Sequence, residues 1–350
     1  MTKGSRSRFL LCITARDTGW LRRILPTAPV LHRSSAFVAL TSCLVSTALT
    51  DHPSAQRGGS ASIPRVSAVY VTAVDRAGNP VDDLTARDVV LKEGGDAREI
   101  VKIERATSPM QVAIIIDDSG TGIFRYAVGK FIDQLLGHAH FAIRRVVGQV
   151  QSVVEYTSDV DQLRNAVLSL KVIPETPKGG QVVEAVFQAA KELQSREAPR
   201  PVIVVLTDTE AEYSSLPAEH VLEQLRESGA TLYVISIARV QERMTLPGPA
   251  SVLPGAQSPV EKPSDLLDRQ IDVNRVLGDG PKQSGGRRAE INSSAGPIVA
   301  LQQIADELNH QYRVTYIVPA GEKFDQKISV SSKRRGVSLR APSRSGKGLP

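Results

Sequence analysis

Apolar positions along the chain follow two different rhythms. In "VSAVYVTAVD", β-branched and aromatic residues put Val66, Tyr70 and Val74 on one face and Val69, Val71 and Ala73 on the other. That pattern predicts a strand with no clearly polar side. "RAGNPV" follows as a turn, and "DLTARDVVLKEGGDAREIVKIERA" carries two more short strands around Gly94 and Gly95. A small β-rich unit over residues 64–107 is the expectation.

From Met110 the rhythm changes. "VAIIID" is a continuous apolar run, the mark of a strand covered on both faces. "GIFRYAVGKFIDQLLG" then predicts a helix with Ile123, Tyr126, Ala127, Phe131 and Leu135 on its inner stripe. "FAIRRVVGQ" and "VQSVVEYTSD" read as a hairpin pair. "DVDQLRNAVLSL", "QVVEAVFQAAKELQ" and "PAEHVLEQLRESG" read as helices, the last closing on Gly229. "PVIVVLTD" and "ATLYVISIA" are further buried strands. Residues 239–288 are rich in Pro, Gly and Ser without periodicity and read as a low-complexity insertion. "GPIVALQQIADELN" resumes as a helix, "QYRVTYIVP" as a strand and "QKISVSSKRRGVSLRA" as a terminal hairpin, before a disordered tail over 341–350. Strands alternating with helices predict an α/β domain over 108–340, a central mostly parallel sheet flanked by helices.

Residues 1–55 read as a leader. "LHRSS" supplies charge and "AFVALTSCLVSTAL" an apolar core too short to span a bilayer, the pattern of an export signal. The mature chain is expected to be periplasmic or extracellular with no membrane span. "LTSC" fits a lipoprotein box loosely, but apolar residues continue past Cys43, so lipid anchoring there is the less favoured reading. "AQRGGSAS" over 55–62 is a polar linker.

The leader also explains the charge. The chain holds 43 basic and 37 acidic residues, of which residues 1–50 hold seven and one, leaving 36 of each beyond them. A balanced body gives no electrostatic case for nucleic acid. Both cysteines, Cys12 and Cys43, lie in the leader, so the rest has neither a disulfide framework nor a thiolate metal site.

Candidate chemistry sits where two buried strands end, at Asp117 and Asp208. In an open α/β sheet, ligands bind beyond the carboxyl ends of the strands, where strand order reverses. If these strands are neighbours there, both carboxylates face one cleft. Asp117, Ser119 and Thr121 offer one carboxylate and two hydroxyls from one turn, bent by Gly120 and Gly122. Oxygen-only donors suit a hard cation such as Mg²⁺. A shell dominated by neutral hydroxyls leaves room for an acidic side chain of a partner protein to complete it.

Asp117-x-Ser119-x-Thr121 after a hydrophobic strand, with "VLTD" ending at Asp208, resembles the metal-ion-dependent adhesion site of von Willebrand factor type A (VWA) domains. The flanks "VTAVDRAGNPVDDLTARDVVLKEGG" and "SGGRRAE…IADELNHQYRVTYIVP" resemble the VWA-related proteins abundant in acidobacteria. The resemblance implies a Rossmann-like VWA fold, a binding module for protein–protein interaction or adhesion rather than an enzyme, and Mg²⁺ held directly by Ser119 and Thr121 and mostly through waters by Asp117 and Asp208. Three departures stand out. Thr121 replaces the family's serine, Gln181 falls where a family threonine belongs, with Thr176 out of register, and Thr209 follows Asp208 in place of glycine.

Rival readings compete for the same letters. "IIIDDSGT" approximates a haloacid-dehalogenase phosphatase motif with Asp117 as nucleophile, but Ser119 stands where that chemistry needs an acid. "DSGT" matches an aspartic-protease loop, yet the only other such triplet, Asp17-Thr18-Gly19, lies in the leader, so residues 51–350 hold no second loop. Gly120-x-Gly122 lacks the third glycine of a dinucleotide fingerprint, because Arg125 occupies it. His138 and His140 read as exposed loop residues, Tyr312 and Tyr316 as packing, and "SKRRG" as a solvated turn. Asp118 or Ser119 is also placed to cap the following helix. A metal-free interaction scaffold is the remaining alternative, favoured by Gln181.

Overall fold

The computed structural model describes residues 64–174, 180–208, 214–237, 263–293, 295–322 and 327–344. All of these lie within one compact unit, Gly58–Pro350. The leader, the linker, residues 238–262 and the tail beyond Arg344 lie outside the described residues. No helix among the described residues is long and apolar enough to cross a membrane.

In chain order the strands are β1 (Arg65–Val74), β2 (Val89–Glu93), β3 (Asp96–Ala97), β4 (Ile100–Arg105), β5 (Met110–Asp117), β6 (Ala139–Val147), β7 (Gln149–Thr157), β8 (Pro201–Thr207), β9 (Thr231–Ile237), β10 (Arg288–Ile291), β11 (Tyr312–Val318), β12 (Ile328–Ser332) and β13 (Ser338–Arg340). The helices are α1 (Arg125–Leu135), α2 (Val160–Ser169), α3 (Val182–Ser195), α4 (Ala218–Ser228), α5 (Pro263–Asn274), α6 (Gly280–Gln283) and α7 (Gly296–Asn309), with a π turn over Arg275–Asp279 joining α5 to α6.

The central sheet runs β10-β9-β8-β5-β6-β7, parallel except for the β6–β7 hairpin. It is the expected mostly parallel sheet. Its apolar runs are continuous because each strand feeds two cores by alternation. Ile114 and Ile116 of β5, with Val204 and Leu206 of β8, pack against α1 and α7. Ala113 and Ile115, with Ile203 and Val205, pack against α3 and α4 on the other face. Full burial of such a side chain stabilises by roughly 1.5–3 kcal/mol, so this register is strongly set.

Strands β13-β1-β11-β4 form a second, smaller sheet and β12-β2-β3 a third. This corrects the sequence reading, which left the strand at Tyr312 and the terminal hairpin inside the α/β segment. β11 instead runs antiparallel to β1 over Arg65–Val71, and the two bury Val69, Val71, Val314 and Tyr316 together. β12 pairs with β2 and β13 with β1, so the expected terminal hairpin is split between two sheets.

Two further expectations are corrected. The segment 239–288 is not structureless throughout, because 263–283 is helical and seats Val276 and Leu277 in the core, while β10 extends the sheet beside β9. Its proline and glycine content hides a short buried stripe. On α1, Ile123 and Tyr126 are 40% and 63% exposed, and the inner face is carried by Phe124, Ala127, Val128, Phe131, Ile132 and Leu135. The helix starts at Arg125, and that start rotates the stripe by about one position.

Candidate functional site

β5 is flanked by β6 on one side and β8 on the other, so strand order reverses between β5 and β8. Both aspartates finish at this reversal. Asp117 lies opposite Thr207 in the register, and the Asp208 amide donates to the Asp117 carbonyl at 3.0 Å. The two residues are therefore adjacent at one rim, and both are buried. The Thr207 hydroxyl donates to Asp117 Oδ2 at 2.9 Å, which fixes the carboxylate's rotation. Sequence reading missed Thr207, although it stands in the quoted "VLTD" directly before the aspartate.

The third wall is bare backbone. A Cβ added to Gly180 would lie 2.2 Å from Val146 Cγ1 and 3.4 Å from Asp117 Oδ1. The chain entering α3 thus reaches the carboxylate only because residue 180 carries no side chain. Gln181 follows as the residue before α3 and makes no side-chain capping bond to it. Thr176 and Thr209 lie outside the described residues.

The loop after β5 bends through three left-handed residues, Ser119 (φ 46), Gly120 (φ 77) and Gly122 (φ 70). A serine in that region is strained, and such strain concentrates at functional positions. Ser119 is half-buried and Thr121 is exposed. Asp118 holds the bend together. Its Oδ1 accepts from the Gly120 amide at 3.1 Å, and its Oδ2 from the Gly122 amide at 2.6 Å. Helix α1 begins without a side-chain cap, so neither Asp118 nor Ser119 caps it, contrary to expectation. The loop's own amides are nearer.

Arg145 of β6, also missed in the sequence, faces Asp118. Its Nε and Nη2 donate to Asp118 Oδ1 at 3.2 and 3.1 Å, and Nη2 also reaches Oδ2 at 3.2 Å. Its Nη1 donates to the Lys171 carbonyl at 2.9 Å, tying the bend to the residues after α2. A second tie runs from the Ile173 amide to the Gly120 carbonyl at 2.8 Å.

The rim thus offers two carboxylates, Asp117 and Asp208, and two hydroxyls, Ser119 and Thr121. Among the described residues no group of three His, Cys, Asp or Glu side chains is placed to hold a metal ion. A cation at this rim would depend on the hydroxyls and the hard-oxygen character of the set. The donor chemistry and the bare approach at Gly180 both fit such an ion. They fit phosphoryl transfer poorly, since Asp118, the acid nearest to Asp117 in sequence, is held by Arg145 and by two amides. His138 and His140 are exposed, and Tyr312 and Tyr316 are buried packing residues. The Tyr312 hydroxyl donates to the Val81 carbonyl at 2.8 Å.

The family model described as VWA domain containing CoxE-like protein matches residues 76–245. A comparison with curated proteins found no match. Among solved structures, proximal thread matrix protein 1 from the mussel byssus, with a zinc-occupied MIDAS motif, is 11% identical with a TM-score of 0.38, over 58% of this chain and 49% of that one. This chain spans about half the length of that mussel protein. BatB from Bacteroides thetaiotaomicron is 14% identical with a TM-score of 0.37, over 57% of this chain and 98% of that one. A von Willebrand factor type A protein from Catenulispora acidiphila is 14% identical with a TM-score of 0.38, over 82% and 74% of the two chains. Residues 76–245 thus match the von Willebrand factor type A family, and the sheet order built around them is that of its fold.

Proposed function

We propose that the chain is an exported protein-interaction module whose rim at Asp117, Ser119, Thr121 and Asp208 holds Mg²⁺ and engages an acidic side chain of a partner protein. The observation that supports it is the adjacency of Asp117 and Asp208 at the strand-order reversal, with bare backbone approaching the Asp117 carboxylate at Gly180. Two buried acids side by side repel one another, and a divalent cation offsets that repulsion. When bound, Mg²⁺ would supply an open coordination position for a carboxylate. The residues of this chain orient the donors: Thr207 fixes Asp117, while Asp118 and Arg145 fix the bend that carries Ser119 and Thr121. Export rests on the charged and apolar pattern of the leader.

Calorimetry of residues 64–350 with Mg²⁺ and Mn²⁺ tests the reading. Saturable binding and a thermal shift that vanish in Asp208→Ala are expected. A shift that persists in that variant counts against the site, and Mg²⁺-dependent hydrolysis of a generic phosphate ester would favour the phosphatase instead.

A second reading has its own observation. The Asp118–Arg145 contacts hold the bend without a metal ion, and Gln181 replaces a hydroxyl donor of the family. Partner binding that is insensitive to chelator would identify a metal-free scaffold.

A further inference from the structure

Because the chain beyond residue 50 carries equal numbers of basic and acidic side chains, a local surplus of one sign is informative. Such a surplus lies at the end of the molecule opposite Asp117. α4 finishes just before β9 begins and α6 just before β10 begins, so their last turns mark the base of the parallel sheet. There a groove of about 1280 Å³ opens between α4, α6, β12 and the residues following β13. Its lining carries Arg226, Lys282, Lys327, Arg340 and Arg344 against one acid, Glu223. Arg226 and Arg344 share Glu223, with Arg344 Nη1 at 3.1 Å, and Arg340 reaches the buried Glu307 at 2.7 Å. Beyond these paired arginines, Lys282 and Lys327 add two exposed positive charges to the lining.

The rest of the lining is of another kind. It includes Ile328, Val330, Leu339 and Ala341, whose side chains also pack against the core of the smaller sheets. The backbone of two lining residues packs closely there, since a Cβ on Gly285 would lie 2.4 Å from the Ala341 carbonyl carbon. Cations thus border an apolar trough. We propose that this groove is a second interaction surface, separate from the aspartate rim, and that it takes an acidic, extended peptide segment of a partner protein in which carboxylates alternate with apolar side chains. Alternation is what an extended chain produces naturally, with one face to the trough and the other to the cationic border. A polyphosphate or sulfated glycan would satisfy the border and leave the apolar residues wet, so the mixed lining favours a peptide.

The test uses the chain with residues 1–63 removed and fluorescence anisotropy of a labelled twelve-residue peptide of alternating Glu and Leu. Saturable binding is expected that weakens with added salt and is absent when Gln replaces each Glu. Charge reversal in K282E/K327E should weaken it at least tenfold while leaving the melting temperature and the Mg²⁺ response of the aspartate rim unchanged, both side chains being exposed. The inference is overturned if no saturable binding occurs below millimolar peptide, or if K282E/K327E binds as tightly as the parent. It is also overturned if inorganic polyphosphate competes at equal affinity, which would assign the groove to a polyanion. Binding that emerges only after residues 345–350 are deleted would overturn it in favour of the chain's own tail as occupant.

Discussion

Arg145 and Asp118 form an ion pair with side chains only 3% and 1% exposed, at 3.1 Å, directly beneath the bend that carries Ser119 and Thr121. Burying two charges is costly, and the cost is offset only when geometry is good and the remaining lone pairs and protons find partners. Here they do, because Asp118 also accepts two loop amides and Arg145 also donates to the Lys171 carbonyl. The bend is consequently shaped by groups of the protein itself.

Removing the cation of that pair should be severe. Arg145→Met leaves the Asp118 carboxylate buried without its counter-ion, and a loss of about 3–5 kcal/mol is expected. Arg145→Lys should recover only part of it, since a single ammonium cannot chelate the carboxylate and reach Lys171 together. The double variant D118N/R145M should cost clearly less than the two single losses added. Urea denaturation of the four proteins measures this, and strict additivity would show that the two residues act separately.

Ser119 sets fold stability against binding. Its φ of 46 costs a non-glycine residue roughly 1–2 kcal/mol, which glycine avoids while adding freedom to the unfolded chain. Ser119→Gly should therefore leave the metal-free melting temperature unchanged or raised by a few degrees, and at the same time abolish Mg²⁺ binding in calorimetry. A loss of stability above about 1 kcal/mol would mean that the hydroxyl holds the loop rather than a ligand.

The placement of the two aspartates was legible because continuous apolar strands announce burial on both faces, and the polar residues that end them, Asp117 and Asp208, must then lie at the rim. The Asp118–Arg145 pair was not. "FAIRRVV" contains two adjacent arginines, and only the register of β6 on β5, with Arg145 opposite Ile116, decides which one faces the loop. Arg144 turns to the other side and bonds Glu155 and Glu192. The union of β1 with β11 was equally hidden, since nothing local couples Val69 to Val314, a pair about 245 positions apart that only the folded core brings together. Local signals fared better. The acidic start of α2 is a true cap, with Asp159 accepting from the Gln162 amide at 2.8 Å.

Gly180 offers a steric test of the rim. Gly180→Ala places a methyl 2.2 Å from Val146 Cγ1, which must move, and overpacking of this kind costs typically 1–3 kcal/mol. Val146→Ala in the same chain should restore most of that stability by clearing the space. Thermal denaturation of the single and double variants decides it. Unchanged stability in Gly180→Ala would place the backbone entering α3 farther from β6 than the structure has it.

Arg200 ties the smaller sheet to the base of the larger one, and its charge is paired with dipoles rather than acids. It is 5% exposed. It donates to the Ser108 and Leu308 carbonyls at 2.9 and 2.8 Å and to Gln311 Oε1 at 3.0 Å, and it stacks 5.3 Å from the Tyr70 ring. Gln311 in turn donates to the Thr72 hydroxyl at 3.0 Å. Arg200→Met strands two buried acceptors and one half-buried one and should cost about 2–4 kcal/mol, even though it removes the burial of a cation. Burial pushes the Arg200 guanidinium down to about 10, below its ordinary value. Folded and unfolded chains both keep the proton at neutral pH, so the stability difference between parent and variant should be flat from pH 6 to 9. Because the folded value lies below the unfolded one, any change belongs above pH 10. There the folded protein sheds the proton first, and the parent gains stability relative to the variant as pH rises. Chemical denaturation of both proteins across pH 6 to 9 checks this, and a difference that drifts by more than about 1 kcal/mol over that range would show that another titrating group is coupled to Arg200.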